Sequence, residues 1–245
     1  MRLLHSDSLA IALTEAITTG DLPALDALLR NNHRLAQATI DSSRTDGRTE
    51  SRSLLHVATD WPGHFPNGAE SVHTLVAHGA DVNARFGGWH TETPLHWAAS
   101  SDDVVVLDAL LDAGADIEAD GAVIGGGTAL ADAVAFGQWR AARRLVDRGA
   151  KTTLWQAAAL GLMDRITAYF EEASPPLHED VTNAFWCACH GGQLHAAMYL
   201  RHRGANLNWV GHDGLTPLDA ARRAGAEDVA SWLANVGGIS GRHDS

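Results

Sequence analysis

The chain has 245 residues, 45% hydrophobic and 20% charged, an ordinary globular composition that excludes wholesale disorder. Its 30 acidic side chains outnumber 18 basic ones, for a formal net charge of −12, which speaks against a protein that tracks nucleic-acid phosphates or anionic membranes. No apolar run approaches the ~18 to 20 residues of a membrane span.

The start, MRLLHSDSLAIALTEA, has one arginine and a short apolar patch broken by Thr14 and Glu15, so no secretion signal is expected. Residues 8–33 show the periodicity of two helices without a Thr-Pro start, which predicts an N-terminal cap over 1–40. The segments DSSRTDGRTESR (41–52) and DWPGHFPNGAE (60–70) are rich in Ser, Gly, Pro and Asn and predict loops. At Thr93-Pro94-Leu95-His96-Trp97-Ala98-Ala99 a helix should begin, with Thr93 as N-cap and Pro94 in the first turn, where its missing N–H costs nothing. Val106, Leu107, Leu110 and Leu111 then form one apolar stripe, Asp103, Asp108 and Asp112 lie largely opposite, and Gly114 ends the helix. The start returns at Thr216-Pro217-Leu218-Asp219-Ala220-Ala221. The closing signature recurs as LVAHGADVNA (75–84), LLDAGADIEA (110–119), RLVDRGAK (144–151) and YLRHRGANLN (199–208).

Anchoring on Ile11, Ser53, Thr93, Thr128, Thr152, Asn183 and Thr216 gives spacings of 42, 40, 35, 24, 31 and 33 residues. This pattern resembles the ankyrin repeat, with its ~33-residue period and T-P-L-H-x-A start. The resemblance implies an all-α ankyrin-repeat solenoid of about seven helix-turn-helix units with short finger loops, repeats filling 41–236 from starts near 53, 93, 128, 152, 183 and 216. The 24-residue interval leaves no room for a finger near 150, and residues 237–245 are expected to be a flexible tail. One such unit cannot bury its own stripe, so stability should come from stacked neighbours. The likeness is to stand-alone ankyrin-repeat proteins common in bacteria. Together with only two cysteines, Cys187 and Cys189, too close to bridge readily, it implies a reducing, cytoplasmic setting.

Chemical motifs are scarce. His56 and His96 occupy one repeat position, where the resemblance implies a bond tying a helix start to the next unit. Cys187 and His190 could share a helix face, yet no further ligand pair completes a zinc site, and Cys189 sits at a packed small-residue position. Gly125-Gly126-Gly127-Thr128 lacks the lysine of a phosphate loop. Asp60, His64, His90 and Glu92 fall in or beside loops, but a helix of ~12 Å separates Asp60 from the latter two. Register matching sets Arg143 beside Asp108 as an inter-repeat ion pair. No catalytic residue, metal ligand or cofactor is assigned.

The ankyrin resemblance implies a concave contact face built from finger tips and first helices. Its positions here are Asp60, Trp61, Trp89, His90, Glu92, Trp97, Ser100, Ser101, Phe136, Leu160, His190, Trp209 and His212. Trp61, Trp89 and Trp209 lie among loop residues, and exposed tryptophans are common interface anchors. The reading is therefore a non-catalytic protein–protein interaction module, an adaptor, scaffold or inhibitor. Its partner is a protein, the acidic strip over 101–120 suiting one with a basic patch, and neither nucleic acid nor membrane. The alternative is a small metal-dependent enzyme, a hydrolase, using loops 41–52 and 60–70.

Overall fold

Apolar stripes at helical spacing, closed by glycines, produce a chain of short antiparallel helix pairs. The computed structural model describes residues 1–43, 47–172 and 174–241. It forms two compact units, Met1–Ala150 and Lys151–Ser245, dividing in the connector where no finger was expected. The first unit holds α1 (Ser8–Thr19) with α2 (Leu22–Asn31), α3 (Leu54–Ala58) with α4 (Gly68–Ala77), α5 (Pro94–Ser100) with α6 (Val104–Asp112), and α7 (Ala129–Ala135) with α8 (Trp139–Asp147). The second holds α9 (Leu154–Leu160) with α10 (Met163–Glu171), α11 (His178–His190) with α12 (Leu194–His202), and α13 (Pro217–Arg223) with α14 (Glu227–Asn235). Among the described residues, no helix is long and apolar enough to cross a membrane.

First helices pack on first helices: α1 on α3, α3 on α5 and α5 on α7 in the first unit, and α9 on α11 and α11 on α13 in the second. Alanines make the close approach possible; Ala98, Ala99, Ala133, Ala157, Ala188 and Ala221 have no exposed surface. Leucines fill the space between first and second helices, among them Leu55, Leu75, Leu107, Leu110 and Leu145 in the first unit, all fully buried. Phe185, Ile166, Leu200 and Leu233 anchor the core of the second. Each buried leucine or isoleucine contributes on the order of 1.5–3 kcal/mol relative to an exposed one.

Several expectations need correction. The segment 41–52 is not an irregular loop. Strand β2 (Thr39–Ser43) pairs antiparallel with β3 (Thr49–Ser53) and parallel with β1 (Arg2–Leu4), adding a three-stranded sheet to the helices. Residues 44–46 of that segment lie outside the described residues. The strand pairing ties residues 2–4 to residues 39–41. The loop 60–70 is pinned at both ends: Asn67 Nδ2 donates to the Gly20 carbonyl at 2.9 Å, and the His64 N–H donates to Asp103 at 2.7 Å.

Thr153, not Thr152, caps α9, and Asn183 lies inside α11, which begins five residues earlier. Residues 172–177 join α10 to α11, with residue 173 outside the described residues. Asp108 is held by Arg144 at 2.8 Å and Arg148 at 2.7 Å, one register step from the pair expected with Arg143. The tail is ordered as far as Gly241. Asn208 Oδ1 accepts the Ile239 N–H at 3.0 Å and Asp219 Oδ2 accepts the Gly241 N–H at 2.7 Å. Residues 242–245 lie outside the described residues.

Candidate functional site

The first unit carries most of the expected contact positions. Trp61, in the α3–α4 loop, is 82% exposed, and its N–H donates to Asp60 Oδ1 at 2.9 Å. Asp60 is ion-paired with Arg52, which holds the loop root. Trp89, at the tip of the finger before α5, is 65% exposed, with the Arg48 guanidinium 3.9 Å above its ring centroid. Beside it runs a groove of about 710 Å³ lined by Arg2, Asp41, Arg48 and Glu50. His90 is exposed, and Phe136, at the C-terminal end of α7, is 47% exposed.

Other positions are committed to packing. The Trp97 ring meets His56 edge-on at 4.8 Å and lies 5.2 Å from Phe86. The Ser100 carbonyl accepts from Gln138 at 2.9 Å, and the Ser101 carbonyl accepts from His64 at 3.0 Å. Glu92, expected at the surface, is buried, because its backbone is drawn inward: the Glu92 carbonyl accepts from His56 Nε2 at 3.1 Å and from the Phe86 N–H at 2.8 Å.

In the second unit, Leu160 closes α9 and is buried with the rest of its apolar stripe, so it is not available to a partner. His190 stacks on Trp186 at 5.4 Å. Trp209 is half-buried and meets the exposed His212 edge-on at 5.7 Å. The two border a cleft of about 480 Å³ also lined by His178, Asp180, Asn183 and Asn206.

The residues weighed for chemistry are tied into the scaffold. His56 Nε2 donates to the Glu92 carbonyl, and His96 Nε2 donates to the Gly127 carbonyl at 3.3 Å. Since a carbonyl only accepts, each Nε2 carries the proton and each Nδ1 is the acceptor, taking the Ser53 hydroxyl at 2.8 Å and the Thr93 hydroxyl at 2.9 Å. Burial lowers the pKa of both imidazoles to about 4. These are the inter-repeat bonds the sequence pattern implied.

Cys187 and Cys189 are buried free thiols, and burial pushes Cys187 up to about 12, so neither is a poised nucleophile. The Gly125–Gly127 turn is closed by its own backbone bonds, and the Ile124 N–H donates to Asp132 Oδ1 at 3.3 Å, placing a carboxylate where an anion would have to sit. Asp60 and His64 are held by different partners, and among the described residues no three His, Cys, Asp or Glu side chains gather to hold a metal ion.

Sequence reasoning missed Asp132. It occupies the position of Trp97 in its own hairpin, is fully buried, and burial raises its pKa to about 6. A lone aspartate in ALADAVA, where the repeat register calls for an inward side chain, was the available signal.

Residues 66–155 match the family described as Ankyrin repeats (3 copies). No curated protein sequence matches the chain. Among solved structures, the crystal structure of the human ASB11 ankyrin repeat domain is similar, with a TM-score of 0.50 and 21% identity over 90% of this chain and 96% of that one. That likeness is one of fold. The match assigns residues 66–155 to the ankyrin-repeat family, and the likeness in fold extends over 90% of the chain.

Proposed function

We propose that the chain is a non-catalytic binding module, an adaptor, scaffold or inhibitor, that engages a protein partner through its finger and first-helix surface. Ankyrin repeats are generally protein–protein interaction modules, and their fold is typically non-enzymatic. The observation that carries the reading is the exposure of Trp61, Trp89 and Phe136 in the first unit. Large aromatic side chains left in water are poorly explained by folding and well explained by a surface that they anchor. The formal charge of −12 suits a partner with a basic patch and speeds its approach more than it deepens affinity. Two reduced, buried thiols fit the cytoplasm proposed for it.

The test uses the chain as bait beside the W89A/F136A double variant. A partner identified by cross-linking and mass spectrometry should be retained by the parent and lost by the variant, with both folded by circular dichroism. Equal retention by the two would refute this surface as the contact.

A further inference from the structure

In the second unit, α11 borders two adjoining clefts. One, of about 350 Å³, has Leu154, Trp155, Tyr169, Pro176, Asp180 and Asn183 in its walls. The other, of about 480 Å³, shares Asp180 and Asn183 and adds Glu179, Trp209 and His212. Asp180 and Asn183 are three residues apart on one face of α11, so they form a ridge common to both. Both clefts open to solvent: Glu179, Asp180 and His212 are exposed, and Trp155, Tyr169, Pro176 and Asn183 are half-buried.

The walls are fixed by bonds outside the clefts. The Tyr169 hydroxyl donates to the Thr152 carbonyl, which holds its ring in place. His178 Nε2 donates to the Gly204 carbonyl at 3.0 Å, and the Thr182 hydroxyl accepts the Asn206 N–H at 3.1 Å, fastening the finger that carries Trp209 to α11.

The first cleft presents aromatic rings and hydrogen-bond donors. Among the described residues the Trp155 indole N–H has no acceptor, and Asn183 uses only Oδ1, which accepts from the Cys187 thiol at 3.9 Å and leaves Nδ2 as a donor. The second cleft is acidic. Among the described residues neither Glu179 nor Asp180 has an ion-pair partner, and Asp180 spends one oxygen on the Leu177 N–H at 3.3 Å.

We propose that these clefts bind a proline-rich segment of a partner protein in the polyproline II conformation, its prolines against Trp155, Tyr169 and Pro176 and a flanking arginine between Trp209 and the Glu179 and Asp180 carboxylates. Proline supplies carbonyls and no N–H, so walls that donate suit its backbone, and its rings pack on aromatic faces. Such a segment is already extended when free, so little order has to be imposed on it. A guanidinium matches the acidic side because it pairs with carboxylates and stacks on an indole at once. The site rests on the protein-binding reading but lies in the other unit from Trp89 and Phe136.

The probe is a fluorescein-labelled hexaproline flanked by arginine at both ends, titrated with the full chain and read by fluorescence anisotropy. It should bind saturably. The same peptide with a hexaalanine core should bind about tenfold more weakly, and one with glutamine flanks about fivefold more weakly. W155F keeps the ring and removes the N–H, so it should weaken the arginine-flanked probe by about fivefold, and E179Q should shrink the preference for arginine flanks. Should W155F lose the folded circular dichroism spectrum, E179Q carries the comparison, its side chain being exposed. No saturable binding, equal affinity for the alanine core, unchanged affinity in folded W155F, or an undiminished flank preference in E179Q would overturn the site. The probe is independent of any captured partner, so a failed titration with W89A/F136A-sensitive capture intact would remove the proline site and leave the first unit's surface standing.

Discussion

Acid should loosen the repeat stack through His56 and His96 specifically. Both imidazoles are neutral in the fold, with pKa lowered from 6.5 to about 4 by burial, so the unfolded chain takes up protons that the folded chain refuses. Their contribution is therefore complete above 6.5 and drains away as pH falls from 6.5 towards 4. Going from about pH 7.5 to about pH 5 should remove about 2 kcal/mol per histidine, or about 4 kcal/mol for the pair. Asp132 works in the opposite direction. Its pKa is raised from 3.8 to about 6, so the fold gains as pH falls through that window, by about 1 kcal/mol over the same interval. The net loss is about 3 kcal/mol, within reach of urea denaturation. Glutamine is the informative replacement, because α9 already uses it at this position: Gln156 Oε1 accepts the Thr153 N–H at 2.8 Å, the role of a histidine Nδ1. In the H56Q/H96Q double variant the acid-induced loss should vanish and leave the small gain from Asp132. A double variant that loses as much stability as the parent between these pH values would refute the assignment of acid sensitivity to the two buried imidazoles.

Two further predictions concern the second unit. Trp186 Nε1 donates to the Leu215 carbonyl at 2.9 Å, so W186F should lower stability by about 1 kcal/mol beyond any packing change, with W186H recovering part of it; no change in denaturation midpoint for W186F would show the bond to be idle. Asp219 Oδ2 receives the Gly241 N–H, so D219A and removal of residues 237–245 should be non-additive, coupled by about 1 kcal/mol in a double-mutant cycle; strict additivity would mean the tail does not act through that carboxylate.

The repeat fold was legible because it is written twice, in helical stripes and in the glycine-closed turns between them. Leu107 and Leu110 are fully buried in the stripe that periodicity marked, and Ser53 and Thr216 cap the helices that follow them. The sheet was not legible. Strand β3, TESRS, has no apolar alternation, and its place is set by backbone bonds to β2 and to Gly87, which no side-chain pattern announces. The candidate contacts were legible by position and less so by exposure. Trp89 and Phe136 stay in water, but Glu92 is turned inward by the bond its carbonyl makes with a histidine 36 residues away, a tertiary cause invisible in the finger's own sequence. Thr152 and Thr153 are indistinguishable as caps by residue type, and only the geometry of α9 chooses the second.

One repeat position explains more of this chain than its consensus suggests. The fourth residue of each start meets the backbone that comes next in the stack, and its chemistry tracks what that backbone is. Where a finger follows, the residue is a ring with an N–H: His56 reaches Glu92, His96 reaches Gly127 and Trp186 reaches Leu215, each acceptor being the residue just before the next helix cap. At α7 the residue is Ala131, which carries no side-chain donor, and at α9 it is Gln156, whose Oε1 accepts the N–H of its own cap, Thr153, at 2.8 Å. At α13 the donor becomes an acceptor: Asp219 Oδ2 receives the Gly241 N–H at 2.7 Å. The substitutions at this position are therefore not erosion of a repeat consensus. At His56, His96, Trp186 and Asp219 the side chain pairs a backbone group of the segment that follows its hairpin.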